Sequence, residues 1–316
     1  MKKVLITGAL GQIGSELTER LRIELGEKNV IATDIKDFKD DSGCYEVLDV
    51  RDYDRFRTLV KENDIDTIIH LASLLSATAE KNPKIAWDLN MGGLVNALEI
   101  AKEFKTQLFS PSSIAAFGND APKNNTPQDT AMHPSTMYGV TKVAGELLCD
   151  YYYTKYGVDT RSVRYPGLIS YKTLPGGGTT DYAVHIYYEA LKNGKYTSFI
   201  APGTAMDMMY MDDAIDATIK LLKTDGSKLK HRNGFNITAM SFTPEEIAES
   251  IKKYIPNFEI YYEVDPVRQK IADSWPNSLD ITAAKEEWNF TFNYDLDKMT
   301  QTMLEKLNCK IKEPAR

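Results

Sequence analysis

A short apolar run, Val4–Thr7, leads directly into three evenly spaced glycines and then into a helical pattern. After a strand, a first glycine permits a tight turn, a second lets the backbone approach a phosphate, and a third lets helix and strand pack closely. The free N–H groups at the start of such a helix can bind a pyrophosphate. The spacing is G-x-x-G-x-x-G rather than the commoner G-x-G-x-x-G, and ordinary turns also contain glycine, but the position after the first strand favours a dinucleotide site. The expected cofactor contacts of this segment are Gly8, Gly11, Gln12, Ile13 and Gly14.

Short apolar runs alternate with helical patterns through the first half of the chain. Runs that are apolar throughout are typical of strands buried on both faces. The alternation predicts an α/β fold with a Rossmann-type, doubly wound parallel sheet. The predicted strands are Val4–Thr7, Val30–Asp34, Tyr45–Leu48, Thr67–Ala72, Gln107–Ser110 and Thr160–Tyr165. The predicted helices are Gln12–Leu25, Tyr53–Glu62, Pro83–Phe104 and Ser135–Tyr156.

Helices dominate after Tyr165, which predicts a smaller C-terminal α+β substrate lobe. We place the boundary near residue 170, so that residues 1–170 bind the dinucleotide and residues 171–316 bind substrate, with a return to the first domain around residues 205–240. The predicted helices of this part are Asp181–Lys192, Asp212–Leu222, Pro244–Tyr254 and Asp295–Leu307. The predicted strands are Ser198–Ile200, Phe235–Ile237 and Ile260–Glu263.

The overall charge excludes some partner classes. A net charge of −7 and a pI near 5.3 argue against nucleic acid or an anionic membrane as the main partner, since either would select a basic face. Cys44, Cys149 and Cys309 lie far apart without a C-x-x-C motif, so we expect reduced thiols and no metal site. No apolar stretch approaches the length of a membrane span, and we expect a cytoplasmic protein.

Asp34 indicates which dinucleotide would bind. It follows Gly14 by twenty residues, at the end of the second predicted strand, where a carboxylate can accept from the ribose hydroxyls of adenosine. The same carboxylate would repel a 2′-phosphate, so NAD is favoured over NADP. Lys36 is the nearby cation that would weaken this preference, and a solvated loop acid is the alternative.

The ends of the third and fourth strands supply further candidates. Strand carboxyl ends border the ligand crevice in such sheets. We therefore expect Asp49 and Val50 near adenine, and Leu71, Ala72 and Ser73 near the pyrophosphate and ribose. The alternative for both groups is that these residues belong to ordinary loops and do not contact the cofactor.

Tyr138 and Lys142 are four residues apart and would share one helix face. A neighbouring ammonium favours the phenolate and lowers the pKa of a tyrosine from its usual value of about 10. A phenolate near neutral pH could accept the hydroxyl proton of an alcohol during hydride transfer. Tyr-x-x-x-Lys is common on helices by chance, but downstream of a dinucleotide fold it is stronger evidence for a catalytic pair.

A third group is needed to hold the alcohol oxygen, and the end of the fifth predicted strand offers serines. We select Ser113, with Ser112 as the second choice. A serine that caps the following turn is the alternative.

The whole arrangement resembles the extended short-chain dehydrogenase/reductase family, which includes sugar-nucleotide epimerases. The glycine run, Ser113, Asn90 and the Tyr138–Lys142 pair match this family in order along nearly the full chain. The resemblance implies that Lys142 also binds the nicotinamide ribose and that Ser113 polarises the reacting oxygen. It also implies a homodimer that pairs Pro83–Phe104 and Ser135–Tyr156. The further cofactor contacts expected are Asn90, Tyr165 and Leu168.

The chain departs from the sugar-nucleotide pattern where such enzymes clamp a diphosphate with arginine. The matching stretch contains Met208 and Met209, and methionine cannot pair with a diphosphate. Several segments instead resemble the short-chain type L-threonine 3-dehydrogenase branch: 70–78, 111–118, 164–167, 178–183, 209–211 and 275–276.

This second resemblance implies L-threonine as the small-molecule substrate. The hydroxyl would go to Tyr138 and Ser113, while Thr179 and Thr180 would bind the carboxylate near a helix start. Gly176–Gly178 would flex as a loop over the substrate, with an ordinary surface loop as the alternative. Asp181 is a substrate contact or the N-terminal acid of the next helix. Further expected substrate contacts are Ser76 and, as an apolar wall or as ordinary core, Trp275.

The implied function is NAD-dependent oxidation of the L-threonine β-hydroxyl to 2-amino-3-oxobutyrate. The alternative is a sugar-nucleotide 4-epimerase or dehydratase on the same fold, which would need a cation for a diphosphate. A third hypothesis is an NAD-binding redox sensor without turnover, against which the Tyr138–Lys142 pair argues.

Overall fold

The computed structural model describes residues 1–40, 44–174, 176 and 178–312, so the predicted Gly176–Gly178 loop lies partly outside the described residues. The strands are β1 Val4–Thr7, β2 Val30–Asp34, β3 Tyr45–Val47, β4 Thr67–His70, β5 Gln107–Phe109, β6 Ser112–Ser113, β7 Thr160–Arg161, β8 Val163–Tyr165, β9 Gly167–Ile169, β10 Lys195–Ser198, β11 Met206–Tyr210, β12 Phe235–Asn236, β13 Met240–Phe242 and β14 Glu259–Tyr262. The helices are α1 Gln12–Leu25, α2 Tyr53–Glu62, α3 Ser76–Lys81, α4 Pro83–Phe104, α5 Met137–Tyr156, α6 Tyr182–Asn193, α7 Met211–Lys223, α8 Pro244–Lys252, α9 Pro266–Ser274, α10 Thr282–Trp288 and α11 Leu296–Lys312.

The main sheet has a Rossmann strand order. Among the described residues its six strands run β3-β2-β1-β4-β5-β7, and each neighbouring pair is parallel. The strand order reverses beside β1, and ligands bind at such a switch point, outside the carboxyl ends of the strands. The predicted fold class is therefore confirmed.

The predicted strand Thr160–Tyr165 is wrong as a single element, because it breaks at Ser162. The Ser162 N–H donates to the Arg232 carbonyl oxygen at 3.0 Å, and its own carbonyl accepts from the Phe235 N–H at 3.1 Å. β7 stays in the main sheet, whereas β8 turns away to pair with β12 and β6. This second small sheet brings Ser113 opposite Tyr165.

Other element ends differ for local reasons. Helix α5 begins at Met137 rather than Ser135, because the Thr136 hydroxyl accepts from the Gly139 N–H at 3.1 Å and caps the helix. Helix α6 begins after Asp181, which lies in a preceding short turn. Strand β10 ends at Ser198, where the predicted strand Ser198–Ile200 begins. The short helices α3, α9 and α10 were not predicted.

Alternate residues of the central strand face two cores. Leu5 belongs to the core under α2, α4 and α5, while Val4 and Ile6 belong to the core under α1, α7 and α10. A third core contains residues of α6, α8, α9 and α11, together with Ile114, Ala115 and Phe117. Helix α7 packs on α1, so the chain does return to the sheet, although the boundary near residue 170 stays a prediction.

Among the helices of the described ranges, none combines the length and hydrophobicity that crossing a membrane requires.

Candidate active site

The glycine turn after β1 leaves room only for hydrogen at two positions. Gly8 has a φ of +69°, and a Cβ there would lie 2.8 Å from the Ala72 nitrogen. A Cβ on Gly14 would lie 2.2 Å from the Gly8 carbonyl oxygen, whereas one on Gly11 would meet that oxygen at 3.2 Å. Gly11 also begins α1 without a side-chain cap, and the first turn of that helix contains no acid. A loop this tight, ending on uncapped N–H groups at the positive end of a helix, fits a pyrophosphate.

Asp34 lies beside this turn at the end of β2. Its carboxylate accepts from the Leu10 N–H at 3.2 Å and from the Lys36 N–H at 3.4 Å. The carboxylate is therefore held at the sheet edge, close to the loop that fits the pyrophosphate, as a ribose contact requires.

Asn90 joins three elements that surround the site. Its Oδ1 accepts from the Leu74 N–H at 2.8 Å, and its Nδ2 donates to the Thr141 hydroxyl at 3.2 Å. Asn90 thus ties α4 to the loop after β4 and to helix α5, which contains Tyr138 and Lys142. The same loop is held to β1 by the Ala72 N–H, which donates to the Thr7 hydroxyl at 3.3 Å.

Tyr138, Lys142 and Ser113 line the same cleft. The Ser113 hydroxyl is close enough to the Tyr138 phenol to influence its pKa. The Lys142 Nζ lies 5.3 Å from the centre of the Tyr138 ring and donates to the Pro111 carbonyl oxygen at 2.8 Å. Ser113 also caps the following turn by accepting from the Ala115 N–H at 3.2 Å, so the structural interpretation of this serine is confirmed, while its role toward the alcohol oxygen stays a prediction.

The protein alone does not lower the pKa of Tyr138, contrary to the sequence-based expectation. Burial raises the pKa of Tyr138 to about 12, and the Ser113 hydroxyl opposes this only in part. Burial also lowers the pKa of Lys142 to about 8, against the pull of the Glu146 carboxylate. Desolvation disfavours both charged forms and is the largest cause of each shift.

One cleft of about 260 Å³ collects most of the predicted site residues. The glycine turn forms one end, the tyrosine and lysine line the middle, and the turn before α6 forms the other end. Predicted residues that line the cleft are Gly8, Gly11, Gln12, Ile13, Gly14, Leu71, Ser73, Ser76, Ser113, Tyr138, Lys142, Tyr165, Leu168, Thr179, Thr180, Asp181 and Trp275.

Five predicted cofactor residues lie outside this cleft: Asp34, Asp49, Val50, Ala72 and Asn90. Asp49 forms an ion pair with Arg51 at 2.6 Å, and hydrogen bonds from that guanidinium lower the pKa of the carboxyl. The buried Val50 packs against Gly93, where a Cβ would lie 2.7 Å from it. An adenine contact by Asp49 or Val50 therefore stays a prediction.

Tyr165 lines the cleft. Its hydroxyl shares a hydrogen bond with the Thr218 hydroxyl in the core. The Tyr165 hydroxyl therefore already has a partner within the protein.

The turn before α6 presses closely on β9. A Cβ on Gly167 would lie 2.7 Å from Thr180 Cγ2, so glycine lets Thr180 approach the strand. The Asp181 carboxylate accepts from the Gly178 N–H at 2.6 Å and fixes the turn. This contact supports the interpretation of Asp181 as a structural acid. Gly167 itself was not predicted as a site residue, although its place after Pro166 was the available signal.

Met208 and Met209 are fully buried in two different cores. Neither side chain faces the cleft, so this strand supplies neither a cation nor a surface for a diphosphate.

His70 was not predicted as a site residue, because it ends an apolar strand. Its Nδ1 lies 3.0 Å from the Thr7 hydroxyl, and burial lowers its pKa to about 3. It borders a second cavity of about 30 Å³ behind Lys142, together with Ser112. Both side chains are at least nine-tenths buried, and a cavity of this size holds about one water molecule.

Comparison with known proteins agrees with this geometry. The model of the family "NAD dependent epimerase/dehydratase family" matches residues 4–237. An uncharacterized epimerase/dehydratase of Staphylococcus aureus is 59% identical, with 98% of each chain covered.

Two solved structures are also similar over nearly the full length. An L-threonine dehydrogenase from Clostridium difficile is 67% identical, with 98% of each chain covered and a TM-score of 0.97. A monomeric L-threonine 3-dehydrogenase from a metagenome is 44% identical, with 98% of this chain and 100% of that chain covered and a TM-score of 0.94. The chain described here belongs to the NAD dependent epimerase/dehydratase family.

Proposed function

We propose that this protein is an NAD-dependent L-threonine 3-dehydrogenase. It would oxidise the β-hydroxyl of L-threonine to give 2-amino-3-oxobutyrate, NADH and a proton. The observation that carries the proposal is a single cleft that brings Ser113, Tyr138 and Lys142 together with the glycine turn. Similarity to solved L-threonine dehydrogenases supports the choice of substrate.

Each side chain has a distinct role in this proposal. Bound NAD would accept a hydride from the β-carbon. Tyr138 accepts the hydroxyl proton, Ser113 orients the same oxygen, and Lys142 supplies positive charge that favours the phenolate. The residues proposed to hold NAD are Gly8, Gly11, Gln12, Ile13, Gly14, Asp34, Asp49, Val50, Leu71, Ala72, Ser73, Asn90, Tyr138, Lys142, Tyr165 and Leu168.

The far end of the cleft would bind the amino acid. The hydroxyls and N–H groups of Thr179 and Thr180 suit a carboxylate. Ser76 adds a polar contact, and Trp275 forms an apolar wall. Asp181 is proposed to act mainly by holding this turn, given its bond to Gly178.

NADH formation with L-threonine tests the proposal. We expect turnover by the natural protein and a loss of about 10²-fold or more in Tyr138→Phe, because general-base catalysis typically contributes that much. Tyr254→Phe, which alters an exposed tyrosine, serves as the matched control and should behave normally. Absence of NADH at millimolar threonine would refute the assigned substrate.

The family description names epimerases and dehydratases, so the sugar-nucleotide alternative is also tested directly. Titration calorimetry with UDP-sugars should give no binding, because the buried Met208 and Met209 stand where a diphosphate clamp would be needed. Tight binding of a UDP-sugar would favour the epimerase or dehydratase instead.

We also propose that the chain forms a homodimer in the cytoplasm. Helices α4 and α5 pack together and expose Trp87, Val95, Leu147 and Tyr151, which form an apolar face suited to a second copy. The exposed Cys309 forms no disulfide, which fits a reducing compartment. Sedimentation should show a dimer that Leu147→Glu converts to monomer, and a monomeric natural protein, like one of its relatives, would refute this.

A further inference from the structure

A long connection joins the two catalytic segments. Residues 117–136 run from the Ser113 turn to the start of α5 without forming a helix or a named strand. Long connections of this kind in a compact domain are usually functional or disordered, and this one is hydrogen-bonded to several other elements.

Lys123 in this connection caps the end of helix α9. Its Nζ donates to the Asp273 carbonyl oxygen at 2.6 Å and to the Trp275 carbonyl oxygen at 3.1 Å. The last carbonyls of a helix lack partners within the helix and carry its negative end, so an ammonium satisfies both needs. The cap lies immediately beside Trp275, the aromatic wall of the cleft.

Backbone contacts fasten the same two segments further along. The Lys123 carbonyl oxygen accepts from the Asn277 N–H at 2.7 Å, and the Thr126 N–H donates to the Ser278 carbonyl oxygen at 2.9 Å. The Asn125 N–H also donates to the Ser278 hydroxyl at 2.8 Å. These bonds hold residues 277–278, whereas the bond to the Trp275 carbonyl comes from the Lys123 side chain.

Trp275 is 7% exposed and lines the same cleft as Thr179. Helix α9 also packs against the turn Thr179–Asp181. A shift at the end of α9 would therefore move the apolar wall and the proposed carboxylate site together. Half-burial lowers the pKa of Lys123, with Asp273 opposing the change, so the ammonium is partly desolvated at this contact.

We propose that Lys123 is a positioning residue that fixes Trp275 in the wall of the substrate cleft, and so sets substrate affinity and the preference for a side-chain methyl group. This inference rests on the proposed function for its substrate, L-threonine. Lys123 is not among the residues that line the cleft. It acts through the carbonyl groups at the end of α9.

Kinetics separate this role from a catalytic one. In Lys123→Met we expect the KM for L-threonine to rise about tenfold while kcat and the NAD dissociation constant stay within about twofold. Preference for L-threonine over L-serine should fall about tenfold, as is typical when one methyl contact is lost. Lys123→Arg, which keeps a cationic donor, should recover most of both effects. Lys220→Met is the matched control, since Lys220 also donates to a backbone carbonyl, that of Asn289, away from the cleft.

A spectroscopic measurement tests the positioning without any turnover. The chain has three tryptophans, so 5-fluorotryptophan labelling should give three ¹⁹F signals, assigned by single Trp→Phe variants. Lys123→Met should shift or broaden the Trp275 signal and leave those of Trp87 and Trp288 unchanged. If Lys123→Met does not fold, the polar Lys123→Gln replaces it, because the shorter amide cannot reach both carbonyls.

The outcomes distinguish the two proposals. An unchanged Trp275 signal, or an unchanged KM in a protein that oxidises threonine, would overturn the role of Lys123. A natural protein that fails to oxidise threonine would overturn the proposed function, while the ¹⁹F spectra would still decide whether Lys123 positions Trp275.

Discussion

The Lys142 ammonium lies 5.3 Å from the centre of the Tyr138 ring, yet it donates its hydrogen bond to the Pro111 carbonyl oxygen. The cation is therefore near the phenol without being paired with it. Burial raises the pKa of Tyr138 to about 12 and lowers that of Lys142 to about 8. The two groups thus resist becoming an ion pair until other charges enter the cleft.

The rate should therefore depend on pH with a definite sign. Because the Tyr138 pKa lies above neutrality, the phenolate fraction grows about tenfold per pH unit, and kcat/KM should rise from pH 6 toward about 8. The rise should flatten above about 8, where Lys142 loses its proton. Lys142→Met should move the rising limb to higher pH. A flat profile across neutrality would contradict the role of Tyr138 as base.

Alanine should cause different defects at two positions of the glycine turn, Gly14 and Gly11. Gly14→Ala would place Cβ 2.2 Å from the Gly8 carbonyl oxygen, so the helix or strand must shift, and we expect a loss of about 1–3 kcal/mol in the free energy of unfolding. Gly11→Ala meets the same oxygen at 3.2 Å and should fold nearly normally, but its methyl group would impede the approach of a pyrophosphate. Urea denaturation and NAD titration of both variants distinguish the two effects; equal stability losses would contradict this account.

Asp34 should determine the choice between NAD and NADP. Asp34→Asn keeps the shape of the side chain and removes the charge that repels a 2′-phosphate. We expect weaker NAD binding and a preference for NAD over NADP that falls about tenfold, measured as the two dissociation constants. Asp37→Asn changes a nearby exposed acid and should leave the preference intact. An unchanged preference in Asp34→Asn would show that another group selects the cofactor.

His231 should make stability depend on pH. Burial opposes its protonation, but hydrogen bonds with Glu287 and Asp129 outweigh burial and raise its pKa above the usual 6.5. A raised pKa in the folded state means that the stabilisation is complete below about 6.5 and is lost as pH rises through the higher folded value. Asp129 is exposed, so solvent screens its interaction with His231. We therefore expect His231 to contribute about 1 kcal/mol to the free energy of unfolding.

Glu287→Gln should remove this pH dependence, which thermal unfolding between pH 5 and about 8 would measure. Glu286→Gln changes the exposed neighbour and should retain it. Equal pH dependence in both variants would assign the effect to another group.

Local sequence signals were sufficient for much of the fold. The spacing of apolar residues located α1, α2 and α4 with their observed ends, and the strand–helix alternation gave the parallel sheet. These local patterns could not reveal that the backbone leaves the main sheet at Ser162. That break depends on hydrogen bonds to Arg232 and Phe235, which are distant in sequence.

The site shows the same division between local and distant information. The four-residue spacing of Tyr138 and Lys142 follows from helix geometry alone. The rise in the pKa of Tyr138 depends on how many atoms surround it, which no spacing records. Lys123 gave no signal at all, since its partners Asp273 and Trp275 are brought to it only by the folded lobe.

Helix α10 and the residues after it contribute to the core beneath β1, since Trp288 and Phe290 belong to the same buried cluster as Val4 and Ile6. Ribosomes synthesise the sheet before they synthesise this cover. A nascent chain that ends before α10 would therefore carry a bare apolar face, open to chaperones and to aggregation. Attempts to express the first half alone should yield insoluble material, and in the cell the dinucleotide fold becomes secure only after α10 has been synthesised.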